Sequence, residues 1–165
     1  GNGGCIGFYI RDPEITPPIL KTGVWRFDAT GQAVERFTPA QDCRAVYEGQ
    51  FLSMRLHGQH VGLVPQRILA TGGASVDMSL IRVMCDVFGT PVYVAEKSDS
   101  ASLGAAYRAL HGWLCARQGG FIPYSQVLVK AAPFKKVADP DPTAHGVYTA
   151  MLGRYAELEA RVIKA

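Results

Sequence analysis

The chain has 165 residues, which is enough for one domain with its own hydrophobic core, and a second domain of ordinary size is not expected. Apolar residues make up 48% of the chain and charged residues 19%, as in a typical globular protein, and no apolar run approaches the roughly 18 to 20 residues of a membrane span. The formal net charge is only +3, and the lysines and arginines are dispersed, so neither a membrane nor a nucleic acid is expected as a partner.

Four cysteines lie far apart in apolar segments and form no CxxC pair; they are Cys5, Cys43, Cys85 and Cys115. This pattern favours buried, reduced thiols and therefore a cytoplasmic protein. The first residues, GNGGCIGFYI, contain neither an initiator methionine nor a basic segment before an apolar stretch, so they are not expected to form a secretory signal. The chain is expected to be a piece of a longer protein.

The first part of the chain predicts a strand and a crossing loop. Cys5–Ile10 has the aromatic and β-branched residues of a strand, and the prolines of Asp12–Pro18 favour a loop. Val24–Thr30 and Ala33–Phe37 lie on either side of Gly31, and they are expected to form a small exposed hairpin.

A long amphipathic helix is expected next. Thr38 and Pro39 form a good helix start, because a hydroxyl can accept a backbone N–H and proline suits the first helical position. The helix is expected to run to about His57. Helical spacing predicts its buried face, which consists of Cys43, Val46, Tyr47, Gln50, Phe51 and Met54.

Two short strands with a helix between them are expected in the middle of the chain. Arg67–Thr71 and Pro91–Ala95 are the strand candidates. The helix is expected to begin at Val76 with Ser75 as its cap, and Gly89 suits the left-handed position that ends a helix.

Two more helices are expected in the last third of the chain. One covers SLGAAYRALHG, whose small residues Gly104, Ala105 and Ala106 would pack closely on a neighbour. The other is a long C-terminal helix with a buried face of Tyr148, Met151, Leu152, Tyr155, Leu158 and Val162. Alternating helices and strands predict an α/β layer with mostly parallel strands. The strand candidates are few for a complete sheet, so the chain is expected to begin partway through a domain.

A turn with two glycines, ATGGAS, lies between a predicted strand and a predicted helix. Open α/β sheets bind ligands at this position, beyond the carboxyl ends of their strands. Glycine lets a ligand approach the backbone closely, and a helix N-terminus offers unpaired N–H groups. The turn lacks the GxxxxGK[ST] of a P-loop and the GxGxxG of a dinucleotide site, so a plain structural turn is the alternative.

Several motifs resemble the FGGY family of carbohydrate kinases. ATGGASVDMSLIRVMCDVFGTPVY, followed by SDSASLGAAYRALHG, is similar to the C-terminal segment of that family, where GGAS, an Asn, DVF and LGAAYRA recur in this order and at this spacing. GNGGCIGFYI with PEITPP, and YEGQFLSMRLH, further resemble the xylulose kinases of eukaryotes. The resemblance covers nearly the whole chain.

The resemblance implies an α/β fold, namely the C-terminal lobe of an actin/hexokinase-like (ribonuclease H-like) ATPase, incomplete at its N-terminus. Residues 1–165 would form this partial domain and supply the nucleotide-binding half of a kinase. Members transfer the γ-phosphoryl group of Mg-ATP to a sugar hydroxyl, which is the 5-hydroxyl of D-xylulose in xylulose kinases. The family's sugar site and catalytic Asp belong to the N-terminal lobe, and nothing in this chain matches them.

The same resemblance implies a nucleotide site in this chain, with Gly72, Gly73 and Ala74 against ATP or ADP and Asp77 facing the adenine. Mg²⁺ is expected to be held mainly by the phosphates and by residues outside this chain. The family has Asn where this chain has Asp77. An amide can both accept from the adenine amino group and donate to a ring nitrogen, whereas a carboxylate only accepts. Asp77 is therefore expected to weaken ATP binding by about 1 kcal/mol, the scale of one hydrogen bond.

The function of this chain is expected to depend on the N-terminal portion of the same protein. Phosphoryl transfer rests on positioning and charge stabilisation, so the chain alone is expected to be inactive. His57 and His60 have no third ligand nearby in the sequence, and no metal site is expected there. Two alternatives stay open: a noncatalytic docking module with the same fold, and a kinase for ribulose, glycerol or fuculose.

Overall fold

Helices and strands alternate along most of the chain in the computed structural model, which describes residues 1–95, 100–128 and 133–164. In chain order the elements are β1 (Ile6–Ile10), β2 (Gly23–Phe27), α1 (Pro39–His60), β3 (Ile68–Ala70), α2 (Met78–Phe88), β4 (Val92–Val94), α3 (Ser100–Gln118), β5 (Lys135–Ala138) and α4 (Pro142–Lys164). The described helices include none that is long and apolar enough to cross a bilayer.

The described strands form two small sheets. β1 and β2 are antiparallel, β3 and β4 are parallel, and β5 lies antiparallel to β4. The expected α/β arrangement is confirmed. The expected predominance of parallel strands is wrong for the described residues, because β5 runs back along β4 and the N-terminal strands pair with each other.

The expected hairpin around Gly31 is also wrong. β2 pairs along its whole length with β1, and only Phe27 and Ala33 form an isolated bridge within the expected hairpin. Asp28 explains the difference, because its Oδ1 accepts hydrogen bonds from the backbone N–H groups of Thr30 and Gln32 at 2.8 and 3.0 Å. These bonds close the segment into a tight turn in place of a second strand.

The main hydrophobic core lies between the β1–β2 sheet and helices α1, α2 and α4. All six residues expected on the inner face of the C-terminal helix are buried in α4, which confirms that face. Helix α2 packs on this core through Val83 and Val87, and it packs on the β3–β4–β5 sheet through Ile81 and Cys85. Because both faces of α2 are buried, the helix holds the second sheet firmly against the rest of the protein.

Helix α1 begins as expected, but its buried face is not the expected one. Thr38 and Gln41 form a capping box in which each side chain accepts a hydrogen bond from the backbone N–H of the other residue. Cys43, Val46 and Met54 were expected to be buried, and all three are exposed. Phe51 is buried as expected, but the rest of the inner face consists of Ala45, Glu48, Leu52 and Leu56.

Glu48 accounts for the rotated face of α1. Its side chain is only 2% exposed, and its Oε1 accepts hydrogen bonds from Arg44 at 2.6 Å and from the Tyr148 hydroxyl at 2.8 Å. A buried carboxylate is tolerated when it is paired in this way. A search for apolar spacing excludes glutamate from the inner face and therefore shifts the expected face part of the way around the helix.

A polar network ties the β1–β2 hairpin to α1. Arg26 donates to Asp42 through Nε at 2.7 Å and through Nη2 at 3.2 Å, and the Tyr9 hydroxyl also donates to Asp42. The hydrogen bonds from Arg26, followed by the one from Tyr9, hold the pKa of Asp42 below its usual value. Burial raises the pKa of Tyr9, and the neighbouring carboxylate raises it further.

Helix α3 makes few contacts with the rest of the described structure. His111 is its one buried residue, and the His111 Nε2 donates to the carbonyl oxygen of Ile122 at 2.6 Å. Gly104, Ala105 and Ala106 are exposed, so the expected close packing of this small face is not found among the described residues.

The thiols are free, but they are less buried than expected. Cys85 is buried, Cys5 and Cys115 are half-buried, and Cys43 is exposed. The prediction of buried thiols is therefore confirmed for Cys85 only, and it is clearly wrong for Cys43, which lies on the outer face of α1.

Candidate functional site

The glycine turn joins the carboxyl end of β3 to α2. Gly72 has φ 87° and ψ 179°, a combination that is essentially restricted to glycine. The backbone N–H and the hydroxyl of Ser75 both donate to the carbonyl oxygen of Gly72, at 3.1 and 2.7 Å. A short 3₁₀ turn over Gly73–Val76 then leads into the helix.

Gly73 differs from Gly72 in its backbone conformation. Its φ is not in the left-handed region, and no heavy atom lies within 4 Å of the position that a Cβ would take there. Neither backbone conformation nor packing within the described chain therefore requires glycine at this position. Gly73 and Ala74 are exposed, so the backbone of the turn is open to a ligand that approaches closely.

Asp77 is the N-cap of α2. Its Oδ1 accepts hydrogen bonds from the backbone N–H groups of Ser79 and Leu80, at 2.8 and 3.3 Å. The prediction that Ser75 caps this helix from Val76 is wrong. The chain first makes the 3₁₀ turn, so the helix begins at Met78 and the Ser75 hydroxyl points inward.

The four residues predicted for the site lie along one exposed stretch of backbone. Gly72 is half-buried, whereas Gly73, Ala74 and Asp77 are exposed. Sequence reasoning missed the role of Ser75, which closes the turn from the inside. Its position three residues after Gly72 was the available signal, since a serine so placed can bond back to the glycine carbonyl.

An apolar groove of about 540 Å³ opens beside the turn. Its lining includes Met54, Leu63, Leu69, Leu80 and Phe88, together with Ala74 and Ser75. The groove follows the outer edge of β3, with which no strand of the described residues pairs.

The two outer strands of the β3–β4–β5 sheet differ in charge. β5 carries Lys135 and Lys136, and lysines on an exposed edge discourage pairing with further strands. β3 carries no charge, and its Leu69 side chain is 44% exposed. β3 thus has the composition of an inner strand, although no strand of the described residues pairs with it on that side.

The described residues do not offer a set of metal ligands. They contain no group of three or more His, Cys, Asp and Glu side chains that could hold an ion. His57 instead pairs with buried Glu159, with 3.0 Å between Nε2 and Oε2.

The sequence has close similarity to sugar kinases. The chain is 43% identical to the xylulose kinase of Rattus norvegicus, covering 99% of this chain and 30% of the relative. It is also 42% identical to xylulose kinase 2 of Arabidopsis thaliana, covering 76% of this chain and 25% of the relative. The chain thus spans about 30% of the length of the rat relative.

Solved structures of sugar kinases share the fold. The crystal structure of xylulose kinase from Rhodospirillum rubrum superposes with a TM-score of 0.64 at 24% identity, over 98% of this chain and 30% of that one. Glycerol kinase from Plasmodium falciparum superposes with a TM-score of 0.55 at 14% identity, over 95% of this chain and 31% of that one. The chain therefore has the actin/hexokinase-like fold of these kinases.

The chain also matches a known protein family. Residues 18–113 match the C-terminal domain of the FGGY family of carbohydrate kinases. This match includes the glycine turn, both parallel strands and the helix between them. The chain therefore belongs to the FGGY family of carbohydrate kinases, within its C-terminal domain.

Proposed function

We propose that this chain is the nucleotide-binding half of a kinase that transfers the γ-phosphoryl group of Mg-ATP to D-xylulose, giving D-xylulose 5-phosphate. The observation that carries the proposal is the 43% identity to a xylulose kinase over 99% of the chain. The open glycine turn at the carboxyl end of β3 supports it, because ligands bind open α/β sheets at that edge.

In this proposal Gly72, Gly73 and Ala74 lie against the nucleotide and Asp77 faces the adenine. Gly73 is compatible with the assignment, since no heavy atom of the described chain lies within 4 Å of the position of a Cβ there and the space is open to a ligand. The Asp77 Oδ1 already accepts two backbone N–H groups, so its Oδ2 is the atom available to the base. A carboxylate oxygen only accepts, so this atom offers no donor to a ring nitrogen of adenine.

The N-terminal portion of the same protein would supply the sugar site, the catalytic base and most of the contacts to Mg²⁺. The uncharged edge of β3 and the exposed helix α3 support such a partner, since both are surfaces that a larger protein would cover. Residues 1–165 would then be a partial C-terminal domain. The free thiols support a cytoplasmic location.

The first experiment is a kinase assay on a full-length protein that carries this chain, with D-xylulose, ribulose, glycerol and fuculose as substrates. The proposal expects ATP-dependent phosphorylation with the highest kcat/KM for D-xylulose and no turnover by the 165-residue chain alone. Preference for another of these sugars would overturn the substrate assignment, and turnover by the short chain would overturn the division of roles.

A pair of glycine variants tests the position of the nucleotide. Gly73→Ala should weaken ATP binding by about tenfold, because a Cβ would occupy the space of the ligand. Gly153→Ala is the control, since its Cβ also meets no atom within 4 Å but lies on α4, away from the turn. Equal ATP affinity in the two variants would argue against a nucleotide at Gly73.

A second candidate is a noncatalytic docking module with the same fold. The observation in its favour is Asp77, where the family pattern has an amide. A full-length protein that folds but binds neither ATP nor ADP would support this candidate over a kinase.

A further inference from the structure

Ser75 differs from its neighbours in the glycine turn because its side chain points inward. The residue is 9% exposed, whereas Ala74 and Val76 on either side are exposed. Its hydroxyl donates to the Gly72 carbonyl oxygen at 2.7 Å, and its backbone N–H donates to the same oxygen at 3.1 Å. Two donors from one residue thus hold a single carbonyl group.

Holding this carbonyl also fixes the orientation of the N–H group of Gly73. The two groups belong to the same planar trans peptide, in which C=O and N–H point in opposite directions. With the carbonyl turned toward Ser75, the Gly73 N–H points away from it. No acceptor for this N–H is found among the described residues.

The peptide between Gly72 and Gly73 needs this support because glycine restricts backbone rotation less than any other residue does. Residues without a Cβ populate several backbone conformations at little cost, so a peptide between two glycines rotates easily. A hydroxyl that holds the carbonyl removes this freedom before any ligand arrives. The ligand then binds more tightly, because the turn loses less conformational entropy on binding.

We infer that Ser75 is a positioning residue of the nucleotide site, whose hydroxyl holds the Gly72–Gly73 peptide so that the Gly73 N–H can donate to an acceptor atom of ATP. The inference rests on the proposed function, since it takes ATP as the ligand of the turn. Ser75 itself does not touch the nucleotide.

The test compares three variants of a full-length protein that carries this chain. Ser75→Ala should raise the Kd and the KM for ATP about fivefold, the effect of one hydrogen bond, with kcat little changed. Ser75→Thr keeps the hydroxyl and should restore most of the affinity. Ser79→Ala is the control, because it removes an exposed hydroxyl near the same end of α2 that makes no hydrogen bond within the described structure.

Amide hydrogen exchange without nucleotide provides a second readout. The backbone N–H of residue 75 should exchange about fivefold faster in Ser75→Ala than in the wild type, because the turn opens more often without the hydroxyl. An unchanged ATP affinity in Ser75→Ala overturns the inference while leaving the proposed function intact. A wild-type protein that binds no ATP overturns both, and the exchange rates then show whether Ser75 still orders the turn.

Discussion

Replacing Asp77 by Asn separates the two roles that the structure gives this residue. The Asp77 Oδ1 accepts the two hydrogen bonds that cap α2, and an Asn side chain has an oxygen that can accept both. Asn and Asp are comparable N-caps, so the free energy of unfolding should fall by only a few tenths of a kcal/mol as the helix dipole loses its charged partner.

The change in ATP affinity should be larger than the change in stability. With its oxygen on the helix, the Asn side chain would present its amide N–H₂ where Asp77 presents Oδ2. One new hydrogen bond to a ring nitrogen of adenine is worth about 1 kcal/mol, which lowers the Kd for ATP about fivefold. Asp77→Ala removes the cap and offers no amide, so it should cost about 1 kcal/mol of stability without any gain in affinity.

The assay is calorimetric titration of ATP into a full-length protein with Asp, Asn or Ala at position 77, together with urea unfolding of each variant. Tighter ATP binding in Asp77→Asn at nearly unchanged stability is the expected result. Unchanged affinity in Asp77→Asn would refute the assignment of this residue to the adenine. A loss of stability as large as that of Asp77→Ala would refute its description as a replaceable cap.

Two further predictions concern stability. Gly49→Ala should destabilise the protein by about 1 kcal/mol, because the new Cβ would lie 2.9 Å from the carbonyl oxygen of Gly7 and this overpacking outweighs the better helix propensity of alanine. Gly153→Ala, at an open position of α4, should instead stabilise the protein by up to about 1 kcal/mol. Arg26 is the chief reason why the pKa of Asp42 is lower in the folded protein than in the unfolded chain. The stabilisation that Asp42 contributes should therefore be lost in acid, as the pH falls from about 4, the pKa of an unfolded Asp, through the lower pKa of the folded protein.

Unfolding measurements can contradict both stability predictions. Chemical unfolding at neutral pH measures the glycine variants, and a shift of the same sign in both would show that α1 does not press on the backbone of β1. For Asp42, unfolding of the wild type and Asp42→Asn is compared between pH 7 and pH 2. The gap in stability should shrink as the pH falls, and a constant gap would contradict the lowered pKa.

The elements that sequence reasoning predicted well are those specified by neighbouring residues. The inner face of α4 follows from apolar spacing alone, and all of its expected residues are buried. Gly89 has φ 64°, as expected for a residue that ends a helix in the left-handed conformation. Thr38 caps α1 through Gln41, three residues away. Each of these features depends on a few residues that lie close together in the chain.

The wrong predictions involve partners that are remote in sequence. Glu48 is buried because Tyr148, on the last helix, donates to it, and no local pattern reveals that contact. The small face of α3 was expected to be covered, yet no described residue covers it. Within the site, the position of the glycine turn followed from strand and helix patterns, whereas the assignment of its residues to ATP came from family resemblance.

The uncharged edge of β3 matters for the order in which the parts of the protein are synthesised. A C-terminal domain leaves the ribosome last, after the preceding part of the polypeptide has had time to fold. If that earlier part covers β3, the strand meets its neighbour as soon as it emerges. A chain produced without the earlier part has no such protection, and we expect it to self-associate through β3 as its concentration rises.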